Sequence, residues 1–325
     1  MPVTPPDISA SDLDAAAGFL RSQSDLLITS HVNSDGDGIG GGLALLGLLR
    51  QLGSRSRLLL QDEPPGDYDY LDGWDEIIDL GNAPAQQHDT AVLLDCPNFD
   101  RIGRVGDQIT TDAALLNIDH HPDNERFGAI NLSTDVVCST CEMLYHLAVH
   151  MGLDIDRPIA EQLYTGILFD TGGFRYSLTT PTSLEVGADL VRRGARLDLI
   201  ADRLYNNATF DSVKMIGRAI DSMALHHDGR VATMSLTHEE MERGDSEASV
   251  NYGLWIKGVE VTALLKEERV GHYRISLRSR EDVDVSAIAR IFGGGGHARA
   301  AGCRQEGSLD DVLTRMLAAI EQMLP

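Results

Sequence analysis

Residues 25–38 read DLLITSHVNSDGDG, a short apolar run followed by a histidine, two aspartates and the first of a series of glycines. An apolar run of this length bounded by turn residues reads as a strand buried on both faces. The next stretch, GIGGGLALLGLLRQLG (38–53), is apolar on a helical period and ends at Gly53, a helix stop. Strand, turn, helix is therefore the local plan, and the chemistry-bearing residues fall in the turn. Asp35 and Asp37, two apart, can project their carboxylates to one side, and His31 at the strand terminus can turn inward beside them. Glycines at 36, 38, 40, 41 and 42 remove Cβ atoms, which lets backbone and ligands approach closely.

The same plan repeats outward from this point. Further strand candidates are SRLLL (56–60), TAVLLDC (90–96) and ALLNID (114–119), each nearly all apolar, with helical patterns at 138–152, 157–173 and 181–195. Alternating strands and helices imply a parallel sheet with crossover helices. After about residue 195 the pattern changes. A helical stretch leads into strands expected at 230–236, 258–266 and 271–279, of which the last alternates polar with apolar residues. The expected architecture is α/β, with a parallel-sheet N-terminal domain over 1–195 and a linker over 196–215. A smaller α/β domain with a mixed sheet follows over 216–325, across a cleft from the first.

The chain has 325 residues, 42% of them hydrophobic, enough for sizeable cores. No apolar run reaches the 18 or so residues of a membrane helix, and the N-terminus has acidic residues before its apolar part, so a cytoplasmic, non-membrane protein is expected. A formal net charge of -23 disfavours long nucleic acid, whose phosphates an acidic surface repels, but not short anionic ligands. Four scattered cysteines do not make a disulfide scaffold, and Cys138 and Cys141 read as small buried helix residues.

In an open parallel sheet, ligands bind outside the carboxyl ends of the strands. Asp95 follows the apolar residues of LLDC, Asp119, His120 and His121 lie in NIDHHPD, and Asp170 interrupts an apolar helical stretch in GILFDTGG. An unpaired carboxylate on a buried helix is costly unless a cation meets it. Mixed imidazole and carboxylate donors suit Mn²⁺ and related ions better than Mg²⁺ or Ca²⁺. Six or seven donors suit a dinuclear centre, with cations about 3.5–4 Å apart and water activated against a phosphorus atom. In the second half, FGGGGHARAAGC (292–303) reads either as a linker or as an anion-binding nest of glycine N–H groups, with His297 contacting phosphate or base. Arg278 and Arg280 alternate with Ser279, which places both on one strand face as phosphate forks.

The series HVNSDGDG, LLDC, DHH, DTGG and GGGGHARAAGC resembles the motifs of the DHH superfamily of phosphoesterases followed by the DHH-associated C-terminal domain. DTGGFRYS and the chain length are most similar to the nano-RNase and 3′-phosphoadenosine-5′-phosphate (pAp) phosphatase branch. The resemblance implies that His31 and Asp35 hold one metal, that Asp37, His120 and Asp170 hold the other, and that Asp95 bridges them. It further implies that Asp119 orients the imidazoles, that His121 faces the scissile phosphate as donor or general acid, and that Gly294, Gly295, Gly296 and His297 bind substrate with Arg278 and Arg280. The first motif often has proline where Ser34 stands here, and serine forms the turn as well.

The function implied is a phosphoesterase dependent on two divalent cations, most simply Mn²⁺. Its substrates would be short oligonucleotides, with release of nucleoside 5′-monophosphates, and/or pAp. Linear- or cyclic-dinucleotide phosphodiesterase activity is the alternative enzyme reading, and a non-catalytic nucleotide sensor the alternative from another class. Partners implied are short oligonucleotides or mono- and dinucleotides, with no long nucleic acid; the resemblance also allows a homodimer.

Overall fold

In the computed structural model, which describes residues 3, 7–241, 247–280 and 282–325, the apolar run of the opening stretch becomes strand β1 (Leu27–Thr29), after α1 (Ala10–Ser22). Helix α2 (Gly36–Gln51) follows, starting two residues earlier than its apolar period suggests, because Asp35 caps it. Then come β2 (Arg57–Leu60), a two-residue β3 (Ile78–Asp79), β4 (His88–Leu94), β5 (Ile109–Asp119) and β6 (Ile130–Ser133). The six strands form one sheet in the order β3-β2-β1-β4-β5-β6, all parallel. The expected parallel sheet is therefore present. Strand order reverses between β1 and β4, which is the position where open α/β sheets bind ligands.

Alternation along these strands explains the two cores. Ile28, Leu58, Leu60, Val92, Leu94, Leu116 and Ile118 face one layer, whereas Leu27, Leu59, Ala91 and Leu93 face the other. The first layer is built from α1, α2, α3 (Thr140–Met151) and α4 (Arg157–Asp170). Gly40 lets α2 approach α4, since a Cβ there would collide with the carbonyl of Gln162. Of the two close approaches expected of the glycine run, Gly40 serves that of backbone. Cys138 and Cys141 are buried thiols at the start of α3.

After α5 (Pro181–Arg192), the stretch expected as a linker over 196–215 is largely helical: α6 (Leu197–Tyr205) and the start of α7 (Phe210–Asp221) occupy it. The chain divides into two compact units, Met1–Asn207 and Ala208–Pro325. The second contains β7 (Ala224–His226), β8 (Val231–Leu236), the single turn α8 (His238–Met241) and a 3-10 segment over Glu247–Trp255. It continues with β9 (Val261–Arg269), β10 (His272–Ser279), α9 (Val285–Ile291), β11 (Gly295–His297), β12 (Ala300–Glu306) and α10 (Leu309–Glu321). Its sheet runs β11-β12-β10-β9-β8-β7 and is mixed, because β8 and β9 are parallel and the other neighbours antiparallel. Val261, Ala263, Leu265, Ile275 and Leu277 pack under α9 and α10. No helix among the described residues is long and apolar enough to cross a membrane.

The glycine run at 293–296 is not a linker, because it leads into the sheet. Residues 295–297 are an edge strand, with Gly295 opposite Gly302 and His297 opposite Ala300. A Cβ on Gly294 would collide with the carbonyl of Gly302. The glycines serve close strand approach.

Candidate metal centre

The turn after β1 brings three of the expected donors together. Asp35 spends one oxygen on capping α2, accepting from the N–H groups of Asp37 and Gly38. Its other oxygen lies 3.7 Å from His31 Nε2. His31 Nδ1 lies 3.0 Å from the carbonyl oxygen of Val32, which can only accept, so Nδ1 carries the proton and Nε2 faces the carboxylates. Ser34 closes this turn by donating to the carbonyl of His31 at 2.7 Å. Asp37, buried in the first turn of α2, accepts from the N–H groups of Thr140 at 2.7 Å and Cys141 at 2.9 Å. The N-terminus of α3, capped by Ser139, thus seats this carboxylate. Gly166 of α4 leaves room for it, since a Cβ there would press on Asp37 Oδ1.

Asp95 stands at the centre. It directly follows β4 in a left-handed backbone conformation (φ 56°), which aspartate adopts more readily than most residues. One oxygen is 3.3 Å from His31 Nε2 and the other 3.5 Å from His120 Nε2. His120 Nε2 also lies 3.3 Å from Asp170 Oδ2. His31, Asp35 and Asp95 form one group able to hold an ion, and Asp37, Asp95 and His120 form another. Asp170 is the last residue of α4, not an interior one as its apolar flanks suggested.

The electrostatics describe a pocket short of positive charge. Burial opposes ionisation of Asp95, but the imidazoles of His120 and His31 outweigh it and hold the carboxyl well below its usual range. Burial likewise works against charge on His120, yet Asp95 and Asp170 push its pKa up to about 10. Despite burial, Asp35 and Asp95 hold the His31 imidazole well above its ordinary value. Burial and then the Asp95 charge push Asp37 up to about 6, while burial and Asp37 raise Asp170 well above the carboxylate range. Carboxylates in excess of imidazoles here share protons. Divalent cations fit that donor set: Asp95 Oδ1 and Asp170 Oδ2 are buried and accept no hydrogen bond.

Beside this group, Asp119 is fully buried and accepts from His121 Nδ1 at 2.7 Å. Its second oxygen accepts from Asn124 Nδ2 at 2.6 Å. Asn124 also reaches Asn117 Oδ1 and the carbonyl of Cys96, and Asn117 Nδ2 donates to the carbonyls of Leu93 and Cys96, which bracket Asp95. Sequence reading missed this amide network. One signal was available, since Asn117 is the lone polar residue before Asp119 in the apolar run ALLNID.

In the second unit, Arg278 lies in β10, half-buried, and donates to the carbonyl of Leu277. Arg280 falls one residue beyond the strand and donates to the carbonyl of Leu254, so the two arginines do not share a strand face as expected. His297 ends the edge strand β11. Arg175 is exposed, with its guanidinium 5.7 Å from the centre of the Tyr205 ring.

The model of the DHH family, N-terminal domain, matches residues 25–167, and that of the DHHA1 domain matches 228–324. The bifunctional oligoribonuclease and PAP phosphatase NrnA of Thermus thermophilus is 32% identical over 301 residues, 92% of this chain and 90% of the relative. The crystal structure of an exopolyphosphatase-related protein from Bacteroides fragilis superposes with a TM-score of 0.91 at 28% identity, covering 98% of each chain. RecJ from Thermus thermophilus, solved in complex with Mn²⁺, shares the fold with a TM-score of 0.57 at 13% identity, over 99% of this chain and 55% of RecJ. With its aspartates and histidines gathered at the β1/β4 reversal and both domain models matched in order, the chain belongs to the DHH family.

Proposed function

We propose that the protein is a phosphoesterase of short nucleotides, hydrolysing oligoribonucleotides of a few residues to nucleoside 5′-monophosphates and removing phosphate from pAp. The observation that carries this reading is Asp95, with one oxygen toward His31 and the other toward His120. A carboxylate so placed would serve two cations at once. His31 and Asp35 would hold one, Asp37, His120 and Asp170 the other, and Mn²⁺ would suit these mixed imidazole and carboxylate donors. Bound there, divalent cations lower the pKa of water toward neutrality and neutralise charge growing on phosphoryl oxygens.

The chain's own residues do the rest. The Val32 carbonyl fixes the His31 tautomer, and the N–H groups of Thr140 and Cys141 fix Asp37. Asp119 accepts a hydrogen bond from His121 Nδ1–H, which orients Nε2 to give a proton to the leaving oxygen. Residues 1–195 act as the catalytic domain in this reading. Residues 216–325 bind substrate through Arg278, Arg280, Gly294, Gly295, Gly296 and His297.

The test is a panel with added Mn²⁺: pAp, RNA and DNA dinucleotides, linear and cyclic dinucleotides, and a 30-mer. Release of AMP and phosphate from pAp and of mononucleotides from RNA dinucleotides, with the 30-mer resistant, is expected. No product from any of them refutes enzymatic function, and faster cleavage of cyclic dinucleotides reassigns the substrate.

Two further outcomes follow from the site. His31 and His120 hold protons at neutral pH when no cation is present, and both must be lost for their nitrogens to ligate. Cation binding therefore releases protons at pH 7, and apparent affinity rises with pH until the His120 value of about 10 is passed. Calorimetry in buffers of different ionisation enthalpy measures this; a binding heat independent of buffer contradicts it. Asn124→Ala removes the bond to Asp119 and lowers kcat by about 10- to 100-fold, the usual effect of removing such a support. Unchanged kcat in a folded variant would make Asn124 a purely structural residue.

A further inference from the structure

Sheet register brings four strand termini together at one end of the C-terminal unit's sheet. Ser279 pairs with Val261, Arg278 with Thr262 and Ala300, and His297 with Ala300. The end of β10, the start of β9, the start of β12 and the end of β11 therefore coincide. Arg278, Arg280, His297 and Arg299 collect there, in a chain whose formal net charge is -23. Two of the nearby acids are already engaged: Arg230 grips both oxygens of Glu260, and Asp284 caps α9.

The segment leading into β9 ends at this same place and carries an aromatic pair. Trp255 is 74% exposed, and its ring centre lies 4.7 Å from that of Tyr252 at an interplanar angle of 57°. Exposing an indole to water is unfavourable, and the backbone beneath it is held, not loose. Arg280 donates to the carbonyl of Leu254, the N–H of Ile256 bonds to the carbonyl of Gly253, and a Cβ on Gly253 would collide with Thr262 of β9. A rigidly mounted aromatic face beside a group of cations is the arrangement that single-stranded nucleotides recognise, with bases on rings and phosphates on charges.

We propose that Tyr252 and Trp255 form a stacking platform for a nucleobase of the substrate, held within the C-terminal unit. The proposal rests on the short-nucleotide reading and specifies where the base sits. Stacking on an exposed indole uses the π-face every base has, so discrimination is by ring size: purines bind more tightly than pyrimidines. Beside the substrate contact proposed for it, Arg280 also ties the platform to the end of β10 through the Leu254 carbonyl.

The chain has two tryptophans, so Trp74→Phe leaves Trp255 as the single indole reporter in the full-length protein. Titration of that variant with AMP is expected to quench its fluorescence saturably, and ribose 5-phosphate, which has no base, is expected not to. In otherwise unaltered protein, Trp255→Ala should raise KM for pAp about 5- to 100-fold while kcat changes less than the KM does, and Trp255→Phe should recover much of the loss. Absence of quenching by AMP, or an unchanged KM in Trp255→Ala, overturns the platform. So does a Trp255→Ala variant that changes oligomeric state while nucleotide binding stays the same, which assigns the ring to a protein contact. AMP quenching without turnover of any nucleotide would leave the platform standing and remove the enzyme reading instead.

Discussion

Asp95→Asn abolishes turnover, lowering kcat about 10³-fold or more and reducing tightly bound cations from two to one. Each decade of rate corresponds to about 1.4 kcal/mol of transition-state stabilisation, and losing one of two cations together with a bridging charge removes several such decades. The substitution isolates charge from shape. Asparagine adopts the left-handed backbone of position 95 as readily as aspartate does, so the turn after β4 persists. What changes is that an amide NH₂ faces one of the imidazoles and the negative charge shared by His31 and His120 disappears. Both imidazoles then move back toward their ordinary pKa values, because Asp95 is one of the groups that raise them. Cation counting by elemental analysis, together with turnover of pAp, checks both parts. Retention of a tenth of wild-type activity with two bound cations would show that Asp95 does not bridge.

His121→Ala has the next largest effect, a fall in kcat of about 10²- to 10⁴-fold, the span usual for a positioned proton donor. The loss depends on the leaving group. A nucleoside leaves as an alkoxide that needs a proton, whereas p-nitrophenolate does not. Nucleotide hydrolysis should therefore suffer far more than hydrolysis of a p-nitrophenyl phosphate ester. Cation affinity should stay within a few-fold of wild type, because the two donor groups assigned to the cations in this reading, His31–Asp35–Asp95 and Asp37–Asp95–His120, do not include His121. Equal losses for both leaving groups would remove the proton from its role and leave His121 as a binding residue.

Much of the site could be read from local spacing. His31, Asp35 and Asp37 share one turn, so a strand end followed by a helix start is enough to place them together. Asp95, Asp119 and His120 each end or follow an apolar run, and the strand pattern put them at carboxyl ends. The glycines were harder to read. Gly40 packs α2 on α4, and Gly295 and Gly296 lie in an edge strand, because a missing Cβ favours any close approach and sequence does not name the approaching partner. Arg280 was placed one residue too far along β10, and a strand ending at Ser279 leaves its side chain free of the alternation that would align it with Arg278.

By itself the amino-acid sequence determined the class of fold, the donor types and the segments that carry them, since strand period, helix period and capping act over a few neighbouring residues. Only the tertiary structure decided that β1 lies between β2 and β4, so that Asp95 reaches His31 from a segment more than sixty residues away. It also decided that the N-terminus of α3 seats Asp37 and that Asn124 holds Asp119. The first two are pairings between buried groups distant in the chain, and the third crosses the loop after β5. Their stability comes from satisfying each polar atom once water is excluded, a condition that no local pattern of residues records.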